Sequence, residues 1–180
     1  MGCRWLSDQL VVRWVASSAV GSSHEANDQR LQDAYYVGSS GAFGIALVSD
    51  GAGSAIYGAQ GAWLVARKLS VLAREHIAAH QDLPNKDILL GWLEIARADI
   101  NSAAGFRDTT SRQFAATLSL VCFGHDRLIA LQIGDSAAVV RRDGDWSAVV
   151  WPESGEYAST TFFVTDEPQA RASVVSLDGP

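Results

Sequence analysis

Three carboxylates stand where strands are expected to begin or end. Asp50 closes the apolar run Phe43-Gly44-Ile45-Ala46-Leu47-Val48-Ser49 and is followed by Gly51-Ala52-Gly53. Asp33 opens the run Asp33-Ala34-Tyr35-Tyr36-Val37, and Asp135 follows Leu128–Ile133 in Gly134-Asp135-Ser136. A short continuous apolar run reads as a buried strand, so a carboxylate at its end is held by a rigid backbone. Gly51 and Gly53 let that backbone turn sharply and bring its carbonyls close to a ligand. A carboxylate beside a bare carbonyl is what a hard divalent cation such as Mg²⁺ or Mn²⁺ prefers. If the strands share a sheet, their ends converge, and the like charges repel unless a cation sits between them. Asp-Gly is also a common turn signal, and the spacing alone leaves a metal site and ordinary turns level. Asp143-Gly144 repeats the dipeptide between Arg141, Arg142 and Trp146, where a tight hairpin turn without function is expected.

No covalent nucleophile stands out. Ser22, Ser23 and Cys122 have no evident base partner. The two cysteines, Cys3 and Cys122, form no metal-ligand spacing and fit a reducing compartment. Met1 to Asp8 has no apolar core of signal-peptide length, and Leu6 stands where a myristoylation start expects Ser or Thr. No apolar run reaches transmembrane length. The expected location is therefore cytoplasmic, away from membranes. A net charge of −6 argues against a general nucleic-acid binder.

The elements that position these acids can be read from pattern. The 180 residues, 48% hydrophobic and 19% charged, suit one globular domain with a substantial core. Residues 9–20 are β-branched and apolar and predict a first strand. A polar loop, 21–30, separates it from a short strand at 32–37, and Ser39-Ser40-Gly41 turns into the central strand. Ala62, Val65, Ala66, Leu69, Leu72, Ala73 and Ile77 then form the stripe of an amphipathic helix. Leu89, Trp92, Leu93, Ala96 and Ile100 form a second stripe after Pro84, with Trp63 and Trp92 both expected in the core. Gly105 to Arg112 reads as loop. Strands are predicted at Thr117–Phe123, Leu128–Ile133, Ala138–Arg141, Trp146–Trp151 and Thr160–Val164, with a turn at 124–126. Strands, two helices, then more strands indicate an α+β layered domain without alternating βαβ units, repeats or linkers.

Four segments, in order from about residue 15 to 166, together resemble the metal-dependent protein phosphatases of type 2C, the PPM family, especially its bacterial subgroup. They are Gly21-Ser22-Ser23-His24 with Gln32-Asp33-Ala34; Ser49-Asp50-Gly51-Ala52-Gly53; Ala116-Thr117-Leu118 with Ile133-Gly134-Asp135-Ser136; and Pro152-Glu153-Ser154-Gly155-Glu156-Tyr157 with Thr161-Phe162-Phe163-Val164-Thr165-Asp166. The resemblance implies a four-layer α-β-β-α sandwich of two antiparallel sheets flanked by helices. It implies hydrolysis of phosphoserine or phosphothreonine on a phosphoprotein substrate, by water activated between two Mn²⁺ or Mg²⁺ ions. By the resemblance Asp50 bridges both ions, Gly51 donates its carbonyl, Asp33 binds or orients metal-bound water, and Asp135 serves a third, weaker ion.

The sequence departs from the family pattern in three places. Gln32-Asp33 stands where many members have Glu-Asp, as it often does in the bacterial subgroup. Many members hold substrate phosphate with an arginine in the opening motif. Here His24 matches the subgroup's motif, and Arg30 offers a guanidinium able to bind phosphate bidentately. The family also has two late acids, one in a Ser-Asp-Gly and one near the C-terminus. Asp178-Gly179-Pro180 reads as a turn, so residues 1–180 are expected to be a single phosphatase-like domain lacking its C-terminal part. Two functions follow: a phosphatase, or the larger part of one, and a catalytically incompetent module of the same fold that binds a phosphoprotein or partner. Oligomeric state is not legible.

Overall fold

The computed structural model describes residues 12–20, 31–142, 144–152, 161–166 and 172–178. Among them the chain forms, in order, β1 (Asp33–Ser40), β2 (Phe43–Asp50), α1 (Gly58–His80), α2 (Lys86–Phe106), a 3₁₀ turn (Ser111–Phe114), β3 (Leu118–Phe123), β4 (Arg127–Ile133), β5 (Ala138–Arg142), β6 (Asp145–Val150) and β7 (Ser173–Asp178). Strands β1-β2-β3-β4-β7 make a five-stranded sheet, antiparallel throughout, and β5-β6 a two-stranded antiparallel hairpin. Each link along the large sheet except β2-β3 and β4-β7 is a sequential hairpin, whereas the two helices are inserted between β2 and β3.

Alternation along the strands sorts the side chains into layers. Ile45, Leu47, Leu118, Leu120, Cys122, Ile129, Leu131 and Ile133 are buried on one face with the stripes of α1 and α2. Ala130, Val121, Leu128, Val175 and Leu177 face the other way and pack against Val149, Val150, Ala138 and Val140 of the hairpin. The result is two antiparallel sheets with two helices. The described residues supply three of the four expected layers: helices, large sheet and hairpin.

Both helices form as their stripes predict. Val65, Leu69, Ala73 and Ile77 of α1 and Leu89, Trp92, Leu93, Ala96 and Ile100 of α2 are buried. Asn85 caps α2, its Oδ1 accepting from the Ile88 amide at 2.9 Å, which supplies one of the first-turn donors with a partner. Trp63 is the exception, being 53% exposed. It lies one position off the stripe, about 100° round the helix from Ala62, and Arg67 one turn on lays its guanidinium over the ring at 5.1 Å.

Four other expectations are corrected. Residues 12–20 are not a strand. Val15 is 99% exposed, while Trp14 meets Phe123 edge-on at 5.8 Å, so this segment crosses the sheet face without pairing; residues 9–11 lie outside the described part. The loop expected at 105–112 is helix to Phe106 and 3₁₀ from Ser111. Thr160–Val164 has no strand among its described residues, only an isolated bridge at Thr161. Asp178 is not in a turn: it ends β7, in register with Arg127. Gly179, like Asp143, lies outside the described residues, although the expected hairpin is present. Gly144 adopts φ +96° there, and its carbonyl accepts from Arg141 Nε at 3.2 Å.

Candidate metal centre

Asp33 and Asp50 are brought face to face. They are register partners at the open end of β1 and β2. The Gly51 amide donates to the Gln32 carbonyl at 3.2 Å, which makes 32/51 the hydrogen-bonding position and 33/50 the next, non-bonded one. In such a pair the Cα atoms are only about 4.5 Å apart and the side chains project to the same face. That face is the one turned from the helices, since Ala34 and Tyr36, the alternate residues of β1, pack on the helical core.

The backbone of Asp50 is fixed from the side of β3. Its amide donates to Thr117 Oγ1 at 3.0 Å, and its carbonyl accepts from the Thr117 amide at 2.8 Å. Ser49, buried, donates its hydroxyl to the Thr117 carbonyl at 2.6 Å. The Ala52 amide then donates to the Ala115 carbonyl at 2.9 Å. Thr117 therefore orients the central aspartate, a role that its place in the third motif did not reveal. Gly51 is required by packing: a Cβ there would overlap the backbone of Gly58, where α1 begins.

Asp135 arrives from another direction. Gly134 ends β4 with φ +107°, and a Cβ on it would press on Thr117 and the Phe162 carbonyl. Gln132, fully buried, steadies this turn by donating Nε2 to the Gly134 carbonyl at 3.3 Å and to the Trp151 carbonyl at 2.7 Å. Asp135 Oδ2 accepts from Thr161 Oγ1 at 3.0 Å. Its neighbour Ser136 lines a cavity of about 260 Å³ together with Asp33, Asp50, Ser17, Ser18, Tyr35 and Val48. Ser18 Oγ donates to Asp33 Oδ2 at 2.9 Å.

Asp33, Asp50 and Asp135 thus border one end of the large sheet, but as a facing pair with the third acid alongside. Among the described residues no three His, Cys, Asp or Glu side chains are close enough to hold one ion together. Two like charges opposed on a sheet destabilise it, and a hard cation with mostly water ligands is satisfied by one or two carboxylates. The facing pair fits such an ion. His24 and Arg30, the candidate phosphate-binding residues, lie outside the described residues. Gln32, beside Asp33, has a buried Oε1 without a hydrogen-bond partner among the described residues.

An antiparallel sheet carrying this aspartate pair, backed by two helices and faced by a second sheet, is the arrangement that the sequence resemblance implied. The family model for protein phosphatase 2C matches residues 20–179, and the chain belongs to that family. It is 28% identical over 160 residues to serine/threonine-protein phosphatase 3 of Escherichia coli K12, covering 86% of this chain and 63% of that protein. The chain therefore spans about 63% of the length of this curated relative. Among solved structures, the catalytic domain of the serine/threonine phosphatase PstP, in complex with two manganese ions, superposes with a TM-score of 0.63 at 17% identity, over 84% of this chain and 67% of that one. Stp1 of Staphylococcus aureus gives 0.62 at 13% identity, over 83% and 66%. At these identities the structures speak for the fold.

Proposed function

We propose that this chain is a metal-dependent phosphoserine/phosphothreonine protein phosphatase, or the larger part of one. The observation that carries the reading is the Asp33–Asp50 pair, opposed at a non-bonded register position and locked through Thr117. Asp50 would hold two Mn²⁺ or Mg²⁺ ions, helped by the Gly51 carbonyl and by Asp33, with Asp135 at a third, weaker position. Such ions supply water acidified to near-neutral pKa and neutralise phosphate charge. The chain's own contribution is to carry these oxygens on strand ends and to fix the backbone of Asp50 through Thr117. His24 and Arg30 would hold the substrate phosphate. The domain would act in the cytoplasm on phosphoproteins, binding neither nucleic acid nor membrane; among the described residues no helix is long and apolar enough to cross a membrane.

One observation favours the second reading, a phosphatase-like module that binds without turnover: the absence, among the described residues, of a third ligand converging on the pair. Phosphate release from a phosphothreonine peptide in millimolar Mn²⁺ separates the two. Release that Asp50→Asn abolishes and Asp143→Asn leaves intact supports the phosphatase. Peptide binding without release supports the module, and release indifferent to Asp50→Asn removes Asp50 from the chemistry.

A further inference from the structure

A second cavity, of about 490 Å³, is lined by Ser54, Arg112, Ala115, Thr161, Phe162 and Phe163 among others. Thr161 connects the two: it lines this cavity and donates to Asp135, whose neighbour Ser136 lines the carboxylate cavity. Ser54, just past the Asp-Gly-Ala-Gly turn, and Ala115, whose carbonyl holds Ala52, also line this cavity. A ligand seated here meets Thr161, one hydrogen bond from Asp135. The cavity's volume is in the range of ligand sites that take a few side chains.

The walls have a distinct chemistry. Phe162 and Phe163 are half-buried and apolar, and Arg112 brings an exposed guanidinium. Arg112 sits on the 3₁₀ turn, which is tied down on both sides. Gln113 accepts from the Ile56 amide through Oε1 at 3.1 Å and from the Tyr57 amide through its carbonyl at 2.8 Å, and the Ala115 amide donates to the Arg112 carbonyl at 3.2 Å. Among the described residues the ion pairs are Lys68–Asp99, Arg97–Glu94 and Arg127–Asp82, and Arg112 is in none of them. Asp166 also lines the cavity, but its Oδ2 is engaged by the Phe163 amide at 2.8 Å. A guanidinium on the wall of a part-apolar cavity, its backbone fixed by the 3₁₀ turn, is locally complementary to an acidic group.

We infer that this cavity docks the substrate segment flanking the phosphoresidue, with Arg112 selecting a carboxylate side chain on that segment. The inference rests on the phosphoprotein reading above. The planar guanidinium suits a carboxylate bidentately, while the phenylalanines accept the apolar stem or a neighbouring apolar residue.

The test uses the whole chain and three fluorescein-labelled peptides that carry a non-hydrolysable phosphonate analogue of phosphothreonine, alike except that Glu, Ala or Lys flanks the phosphoresidue mimic on both sides. Anisotropy titrations are run with Mn²⁺ present. The Glu peptide is expected to bind about fivefold more tightly than the Ala peptide, with the Lys peptide weakest. Arg112→Ala should erase the Glu-over-Ala ratio, Arg112→Lys should restore part of it, and Arg112→Glu should favour the Lys peptide. Because the side chain is exposed, thermal melting will show these variants folded. No preference in the unsubstituted chain, no binding of any peptide, or an acidic preference that survives Arg112→Ala overturns the inference. The phosphatase reading fails separately: Arg112-dependent selection in a chain that releases no phosphate keeps the docking site and removes the enzyme.

Discussion

Thr117 does more for the candidate site than any residue outside its carboxylates. Its hydroxyl and amide engage the Asp50 amide and carbonyl, so one residue sets the peptide planes on both sides of the aspartate. Thr117→Val keeps the shape and removes the acceptor, leaving a part-buried amide without its partner. The expected cost is about 1–3 kcal/mol, read as a lower urea midpoint with an unchanged slope, and Thr117→Ser should recover most of it. A midpoint unmoved by Thr117→Val would show that the hydroxyl is dispensable. The sequence made Asp33, Asp50 and Asp135 legible because strand-end acids are visible in pattern. It hid the work of Thr117, because a bond spanning 67 positions depends on β2–β3 register. Cys122 shows the opposite case, an inert group correctly dismissed as a nucleophile. Burial pushes its thiol up to about 12. In a Cys3→Ser chain, Ellman's reagent at pH 8 should therefore leave Cys122 unmodified until denaturant unfolds the chain, since the thiolate is the reactive form; rapid labelling of that folded variant would mean the core opens there.

Among elements, α1 and the turn that follows α2 set the position of the Asp-Gly loop. Gly61 on α1 touches the 3₁₀ turn so closely that a Cβ would overlap the Phe114 carbonyl. Gly61→Ala should push the turn away from α1 and cost about 3 kcal/mol, as overpacking against backbone does. Gly91 on α2 has nothing within 4 Å of the same atom, so Gly91→Ala should gain about 1 kcal/mol from helix propensity alone. Opposite signs in paired denaturant curves are the expected result; equal effects would mean that α1 and the turn are not in contact. The helices were readable because a one-sided stripe over about three to four turns has few competing explanations. Residues 12–20 were misread because β-branched composition describes a surface that can pair, and no strand partners them here. β7 was missed for a related reason. Val174 faces the helices while Val175 and Leu177 face the hairpin, so its six residues lack the alternation of a half-exposed strand.

At the scale of the whole molecule, metal binding should be visible as stability. An ion that binds the folded chain and not the unfolded one adds RT ln(1 + [L]/Kd). Asp33 and Asp50 face each other only because β1 and β2 pair, so unfolding destroys the site. With two carboxylates, a carbonyl and water, a dissociation constant of about 1 mM is reasonable for a hard cation. At about 10 mM Mn²⁺ the gain is then about 1.4 kcal/mol, or about 4 °C in melting temperature for a domain of this size. Asp50→Asn and Asp33→Asn should each remove most of that shift. Asp143→Asn should leave it intact, since the β5–β6 register next to that turn opposes Arg142 to Asp145 and not two carboxylates. The measurement is a melting series against Mn²⁺ concentration, with Na⁺ at matched ionic strength as the control. An upward shift of 10 °C or more at micromolar Mn²⁺ would require further ligands on the ion than the facing pair provides. A shift shared by Asp50→Asn would place the ion elsewhere, and no shift at all would leave the opposed carboxylates without the cation that their geometry favours.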